Sequence, residues 1–228
     1  MPAAQPDSTV GDDIRLLGRL LGDVVREQAG EQVFDLIEGV RRVAVTERRD
    51  GGAPLDELAG QLLDVPIDDQ LHVIRAFAWI SLLANTAEDV HHERRRRFHR
   101  AAGSGHQEGS IGATFQHLAG RGLGAAEVGR ALRELEVSPV LTAHPTEVRR
   151  KSVLDALSRV AARLDALGSL TAEAPERREI EAGLRLEILS LWQTAILRLS
   201  KLRVRDEIGE ALRYFDTSIF AVVPELQR

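Results

Sequence analysis

The sequence predicts a mainly α-helical chain interrupted by one short strand, and three observations carry that expectation. Apolar residues recur three and four apart in segment after segment, the spacing of one helix face. Aromatic residues make up only 4% of the chain, while Leu, Ala, Arg and Glu abound, which favours helices over a β-sandwich. One run, Val140 to Ala143, is uncharged and follows Pro139, which argues against a helix carrying through from upstream.

Asp12 and Asp13 supply negative charge to the start of a first helix, whose apolar side is Leu16, Leu17, Leu20, Val24 and Val25 and whose stop is Gly30. Val33, Leu36, Ile37 and Val40 begin a second helix that ends near Arg48. Asp50-Gly51-Gly52-Ala53-Pro54 reads as a turn, followed by a short helix from Leu55 to Leu63. A longer helix is predicted over about Asp69 to Arg97, with Leu71, Ile74, Phe77, Ile80, Leu83, Ala84 and Ala87 as its buried stripe. Asn85 and Thr86 are expected to satisfy buried polar partners. His91 and His92 point to different faces and have no carboxylate at ligand spacing, so they predict no metal site. The run Arg94 to Arg97 reads as a solvated cap that offsets the helix dipole.

Ala101 to Ser110, rich in glycine and serine, reads as a flexible exposed loop. The expected organisation is therefore a helical region over 1–100, a loop over 101–110, and further helices with the strand over 111–228. The glycines of Gly120-Arg121-Gly122-Leu123-Gly124 lack the spacing and the preceding strand of a dinucleotide loop. Ala125 to Leu135 predicts a helix with Val128, Leu132 and Leu135 inward. Leu154, Leu157, Val160, Ala161, Leu164 and Leu167 predict another that stops at Gly168. Helices over about Arg178 to Leu199 and from Asp206-Glu207 through Phe215 complete the reading.

Composition narrows the classes. The 228 residues and 25.1 kDa suffice for one large or two small domains, and the net charge of −5 gives no electrostatic invitation to nucleic acid. With no cysteine, disulfides and thiolate metal sites are excluded, which suits a reducing cytoplasm. No apolar run approaches the roughly 18 residues a membrane span needs, and Met1 to Val10 has no signal pattern, so a cytoplasmic protein without membrane contact is expected.

The chemistry concentrates at the end of the predicted strand. His144 precedes Pro145, which pushes its backbone toward extended geometry and holds the imidazole at the strand's rim. A helix is predicted to start at once, with Pro145 or Thr146 at a cap or first-turn position and Glu147 in the first turn. An imidazole titrates near neutral pH, and Arg149, Arg150 and Lys151 offer a positive floor for phosphate or carboxylate oxygens. The same residues also allow a plainer reading, a capping histidine beside a solvated basic face.

The wording of that corner is specific. Val140-Leu141-Thr142-Ala143-His144-Pro145-Thr146-Glu147-Val148-Arg149-Arg150-Lys151 resembles the first signature of phosphoenolpyruvate carboxylase, Val-x-Thr-Ala-His-Pro-Thr-Glu-x-x-Arg-Lys, at every fixed position. Leu-Gly-x-x-Leu-Gly at Leu17 to Gly22, Leu83 to Glu88, and Leu191-Trp192-Gln193-Thr194 resemble further phrases of that family. Where many relatives place Asp-Glu after the last of these, this chain has Ala195-Ile196. Trp192 and Thr194 read more simply as packing.

The resemblance implies the leading part of a (β/α) barrel enlarged with helices, with Val140 to Ala143 as its first strand and His144 at that strand's C-terminal end. It implies carboxylation of phosphoenolpyruvate by bicarbonate to oxaloacetate and phosphate, replenishing the tricarboxylic acid cycle. Carboxyphosphate and enolpyruvate would be the intermediates, with His144 the catalytic residue that takes the carboxyphosphate proton. It also implies Mg2+ or Mn2+ held by residues beyond this chain, a homotetramer, and a chain inactive alone. The alternative is a non-catalytic helical module docking an acidic partner through Arg94 to Arg97.

Overall fold

The computed structural model describes residues 9–50, 62, 64–103, 105–106, 108–136, 138, 150–171, 173–196 and 203–226, without the side chains of 46–50, 210 and 226. Among them the regular structure is helical. The elements are α1 (Val10–Ala29), α2 (Glu31–Asp50), α3 (Ile67–Ala101), α4 (Ile111–Gly120), α5 (Ala125–Glu134), α6 (Lys151–Leu167), α7 (Glu176–Trp192), α8 (Val204–Tyr214), a π-helical turn (Phe215–Ile219) and α9 (Phe220–Leu226). The predicted strand Val140 to Ala143 and the predicted helix Leu55 to Leu63 lie outside the described residues, except for the helical Leu62.

By its contacts the chain divides into two units. One is Met1–Gly103 with Lys151–Ile196, the other Ser104–Arg150 with Leu197–Arg228.

In the first unit α1 is the central element, touching α2, α3 and α7, while α3 and α7 both pack on α6. The Thr9 hydroxyl accepts from the Asp12 N–H while Asp12 accepts from the Thr9 N–H, so two donors at the helix start are satisfied reciprocally. Gly30, at φ 91°, ends the helix as the sequence predicts, in a conformation that disfavours a side chain. Leu17, Leu20, Leu21, Val24 and Val25 are buried against Trp79, Leu83 and Ala87 of α3, Val160 and Leu164 of α6, and Leu184, Ile188 and Leu191 of α7.

The buried face of α3 is corrected by the structure. Leu71 and Ile74 are exposed, and the interior arc is Val73, Ala76, Trp79, Leu83, Ala87, Val90 and Arg94. Trp79 is wholly buried, so this largest side chain sets the helix's rotation and turns Leu71 and Ile74 outward. Thr86 donates its hydroxyl to Leu82 O at 2.9 Å, whereas Asn85, expected to serve a buried partner, is exposed. α7 is shorter than predicted. It ends at Trp192 because the Thr194 hydroxyl takes the Ser190 carbonyl at 2.7 Å and the Thr194 N–H turns to Leu191 O.

In the second unit, α4 is capped by Ser110, whose hydroxyl accepts from Ala113 N–H, and α5 begins at Gly124, whose N–H donates to Glu127. Leu132 and Leu135, predicted inward, are exposed, and no residue of α4, α5 or the π-helical turn is buried. Amphipathic spacing gives these helices an apolar face, and the described part of the unit provides nothing that buries it.

Candidate functional site

The functional expectation rests on His144, Arg149, Arg150 and Lys151. His144 and Arg149 lie outside the described residues, so the site is seen from its downstream side only. Arg150 is half-buried, and its Nε is shielded from solvent without a hydrogen-bond partner among the described residues. A buried guanidinium N–H in that condition favours an anionic acceptor.

Lys151 is the first residue of α6, exposed, with its Nζ 2.6 Å from Asp155 Oδ2. The described helix α6 begins at Lys151, and its first turn holds no acidic residue. The predicted helix start at Pro145 or Thr146 and the first-turn position of Glu147 lie outside the described residues. The charge of Lys151 opposes the positive end of the helix dipole, and Asp155 offsets it one turn in.

The arginine run is corrected more sharply. Arg94, read from sequence as part of a solvated cap, is buried. Its Nη1 donates to Asp13 Oδ2 at 2.7 Å, its Nη2 donates to Leu164 O, and its Nε lies 3.5 Å from Asp165 Oδ1. Arg97 pairs with Asp165 and Arg96 with Glu93. Arg94 to Arg97 therefore form no continuous basic docking patch, since the first of them ties α1, α3 and α6 together inside the core. Burial pushes the Asp13 carboxyl above its ordinary range, opposed by the charge of Arg94. The signal for this pair was present: Arg94 falls on the same helical arc as Leu83, Ala87 and Val90.

Gly168 is needed for that arrangement. It has no positive φ, so it is not there for a left-handed turn, but a Cβ would overlap the Arg94 guanidinium. A second buried carboxylate, Glu187 on α7, receives Arg159 at 2.8 Å through two nitrogens and has Arg163 at 3.7 Å. The Arg159 hydrogen bond holds its carboxyl below the usual range. Trp192 is buried and stacks on His72 with ring centroids 5.7 Å apart, consistent with packing.

An apolar cleft of about 590 Å³ opens between α1, α2 and α3, floored by Gly18, Leu21, Phe34, Ile37, Phe77 and Ile80. Its rim arginines are already engaged: Arg15 with Asp12, Arg19 with Glu181, Arg26 with Asp23 and Glu31, and Arg41 with Glu38. Neither Arg150 nor Lys151 lines it. Among the described residues no three His, Asp or Glu side chains could hold a metal ion, and no helix is long and apolar enough to cross a membrane.

The statistical model of the family described as phosphoenolpyruvate carboxylase matches residues 10–228. The chain belongs to the phosphoenolpyruvate carboxylase family. It is 47% identical over 218 residues to the phosphoenolpyruvate carboxylase of Mycolicibacterium paratuberculosis, an alignment covering 94% of this chain and 23% of the relative. The Azorhizobium caulinodans enzyme of that name is 44% identical over 225 residues, covering 96% and 24% respectively. The Ralstonia nicotianae one is 45% identical over 227 residues, covering 99% and 23%. The chain thus spans about a quarter of the length of the curated phosphoenolpyruvate carboxylases it matches. The match includes the His144 motif, Arg94 with its partners Asp13 and Asp165, and all of α8 and α9.

Proposed function

We propose that this chain supplies one wall of a phosphoenolpyruvate carboxylase active site and that His144 is its proton-handling residue. The observation that carries the reading is the motif Val140 to Lys151, intact at every fixed position inside a family match over residues 10–228. The substrates are phosphoenolpyruvate and bicarbonate. Phosphate passes to bicarbonate, giving carboxyphosphate and the enolate of pyruvate. His144 accepts the carboxyphosphate proton, the bond between the carboxyl carbon and the phosphate oxygen breaks to give carbon dioxide and inorganic phosphate, and the enolate carbon captures the carbon dioxide to give oxaloacetate.

Arg150 and Lys151 bind the anionic groups, and the shielded Nε of Arg150, without a hydrogen-bond partner among the described residues, supports that role. The resemblance places Mg2+ or Mn2+ on residues beyond this chain, and among the described residues no three His, Asp or Glu side chains could hold it. The reading extends to a (β/α) barrel with Val140 to Ala143 as a strand, a homotetramer, and a cytoplasmic location.

Two measurements test it. The purified chain alone is expected to form no oxaloacetate in a coupled assay, and robust turnover without added polypeptide would defeat the reading. In a full-length polypeptide carrying this segment, His144→Asn is expected to lower carboxylation by roughly 10²- to 10⁴-fold, the range for a lost general base, while some phosphoenolpyruvate cleavage survives. Carboxylation near the unaltered rate would remove His144 from the mechanism.

A further inference from the structure

The helical run from α8 to α9 carries an apolar stripe with no cover in its own unit. Val204, Ile208 and Leu212 recur at i, i+4 and i+8 and are 71%, 54% and 58% exposed, and Phe220 beyond the π-helical turn is 66% exposed. Asp206 and Arg213 lie on the other side of the helix. An eleven-residue helix is marginal in water without tertiary packing, and a continuous exposed apolar stripe of this kind marks an interface.

The length of the relatives says what covers it. The family match runs through residue 228 and so includes the stripe, yet the chain accounts for only 23–24% of the relatives' length. We infer that the stripe Val204, Ile208, Leu212 and Phe220 is the docking face for the three quarters of a phosphoenolpyruvate carboxylase polypeptide that this chain does not span, reached as a continuation or as a separate chain. The inference rests on the family reading above and names the surface through which the wall carrying His144 is joined to the rest of the site.

The stripe's polar flank fits an interface as well. The Asp206 carboxylate accepts from the Arg203 N–H at 3.1 Å, which fixes the start of α8 from within. The helix therefore needs its partner for the apolar face and not for its N-terminus.

Amide hydrogen exchange over 204–223 tests this, in the chain as it stands and in the same chain joined to the remaining polypeptide of the Mycolicibacterium paratuberculosis relative. The expected result is exchange within about tenfold of an unstructured peptide in the chain alone and at least a hundredfold slower exchange once joined, with α1 and α3 little changed. Ile208→Asp with Leu212→Asp in the joined polypeptide should restore fast exchange in this segment. Exchange that stays fast on joining overturns the inference, whether or not the rest folds, as does protection that survives the double substitution. Exchange already slow in the chain alone also overturns it, and concentration dependence there would assign the stripe to a second copy. Oxaloacetate assays on the same samples separate the two ideas: protection without turnover leaves the docking face and removes the carboxylase reading, and turnover without protection does the reverse.

Discussion

At Arg94 a guanidinium sits in the core with Asp13 as its partner, so removing either member leaves a charge in low dielectric. Arg94→Leu is expected to cost about 3–5 kcal/mol in urea unfolding, whereas Arg94→Met combined with Asp13→Asn should cost less than the sum of the single changes. Gly168→Ala displaces the same guanidinium and should weaken the same unit by a comparable amount, despite the small size of the change. A loss below about 0.5 kcal/mol for Gly168→Ala would show that Arg94 can move aside freely.

Two buried carboxylates give opposite pH signs. Glu187 is held below its ordinary value, so its contribution is present above the unfolded carboxyl range and is lost as pH falls through it. Asp13 is held above its ordinary value, so its protonation favours the fold in that window and opposes the acid loss. Glu187→Gln is therefore expected to flatten the fall in urea midpoint between about pH 5 and pH 3. An unchanged slope would mean that Glu187 keeps its ordinary titration in the fold. Asp12 is lowered to about 2 by the Thr9 hydrogen bonds and behaves as Glu187 does in sign.

At the scale of elements, helices were legible and their rotations less so. The periodicity of α1 named Leu17, Leu20, Val24 and Val25, which are buried, while Leu16 is only partly buried and the buried Leu21 was not named; Gly30 and the Thr9–Asp12 exchange fix both ends of the helix locally. On α3 the apolar residues are spread too widely for spacing to choose a face, and packing of Trp79 made the choice. Thr9→Ala should cost about 1 kcal/mol and Gly30→Ala a similar amount, the first through a lost cap and the second through φ 91°. Both are checked by thermal unfolding, and a neutral Gly30→Ala would show that the turn can relax. The apolar face of α5 was also legible as a face, but not its exposure, since periodicity reports which side is apolar and not what covers it.

For the molecule as a whole, the two units differ in what holds them. The unit of Met1–Gly103 and Lys151–Ile196 contains every residue of the buried core cluster, and the other contributes none among those described. Calorimetry of the isolated chain should accordingly show an unfolding enthalpy near the roughly 100 kcal/mol of the first unit at about 60 °C, not the roughly 160 expected if all residues unfolded cooperatively. The higher value would mean that the second unit has a core of its own.

The sequence by itself determined the helical class, the ends of α1 and the identity of the family, because capping, periodicity and a fixed-wording motif are all local along the chain. It also named His144 and its basic neighbours as the candidate site. Only the tertiary structure decided which face of α3 is interior, that Arg94 leaves the arginine run for a pair with Asp13, and that α8 keeps its apolar stripe uncovered. Those outcomes depend on what lies across from a side chain, and no spacing within one helix encodes that.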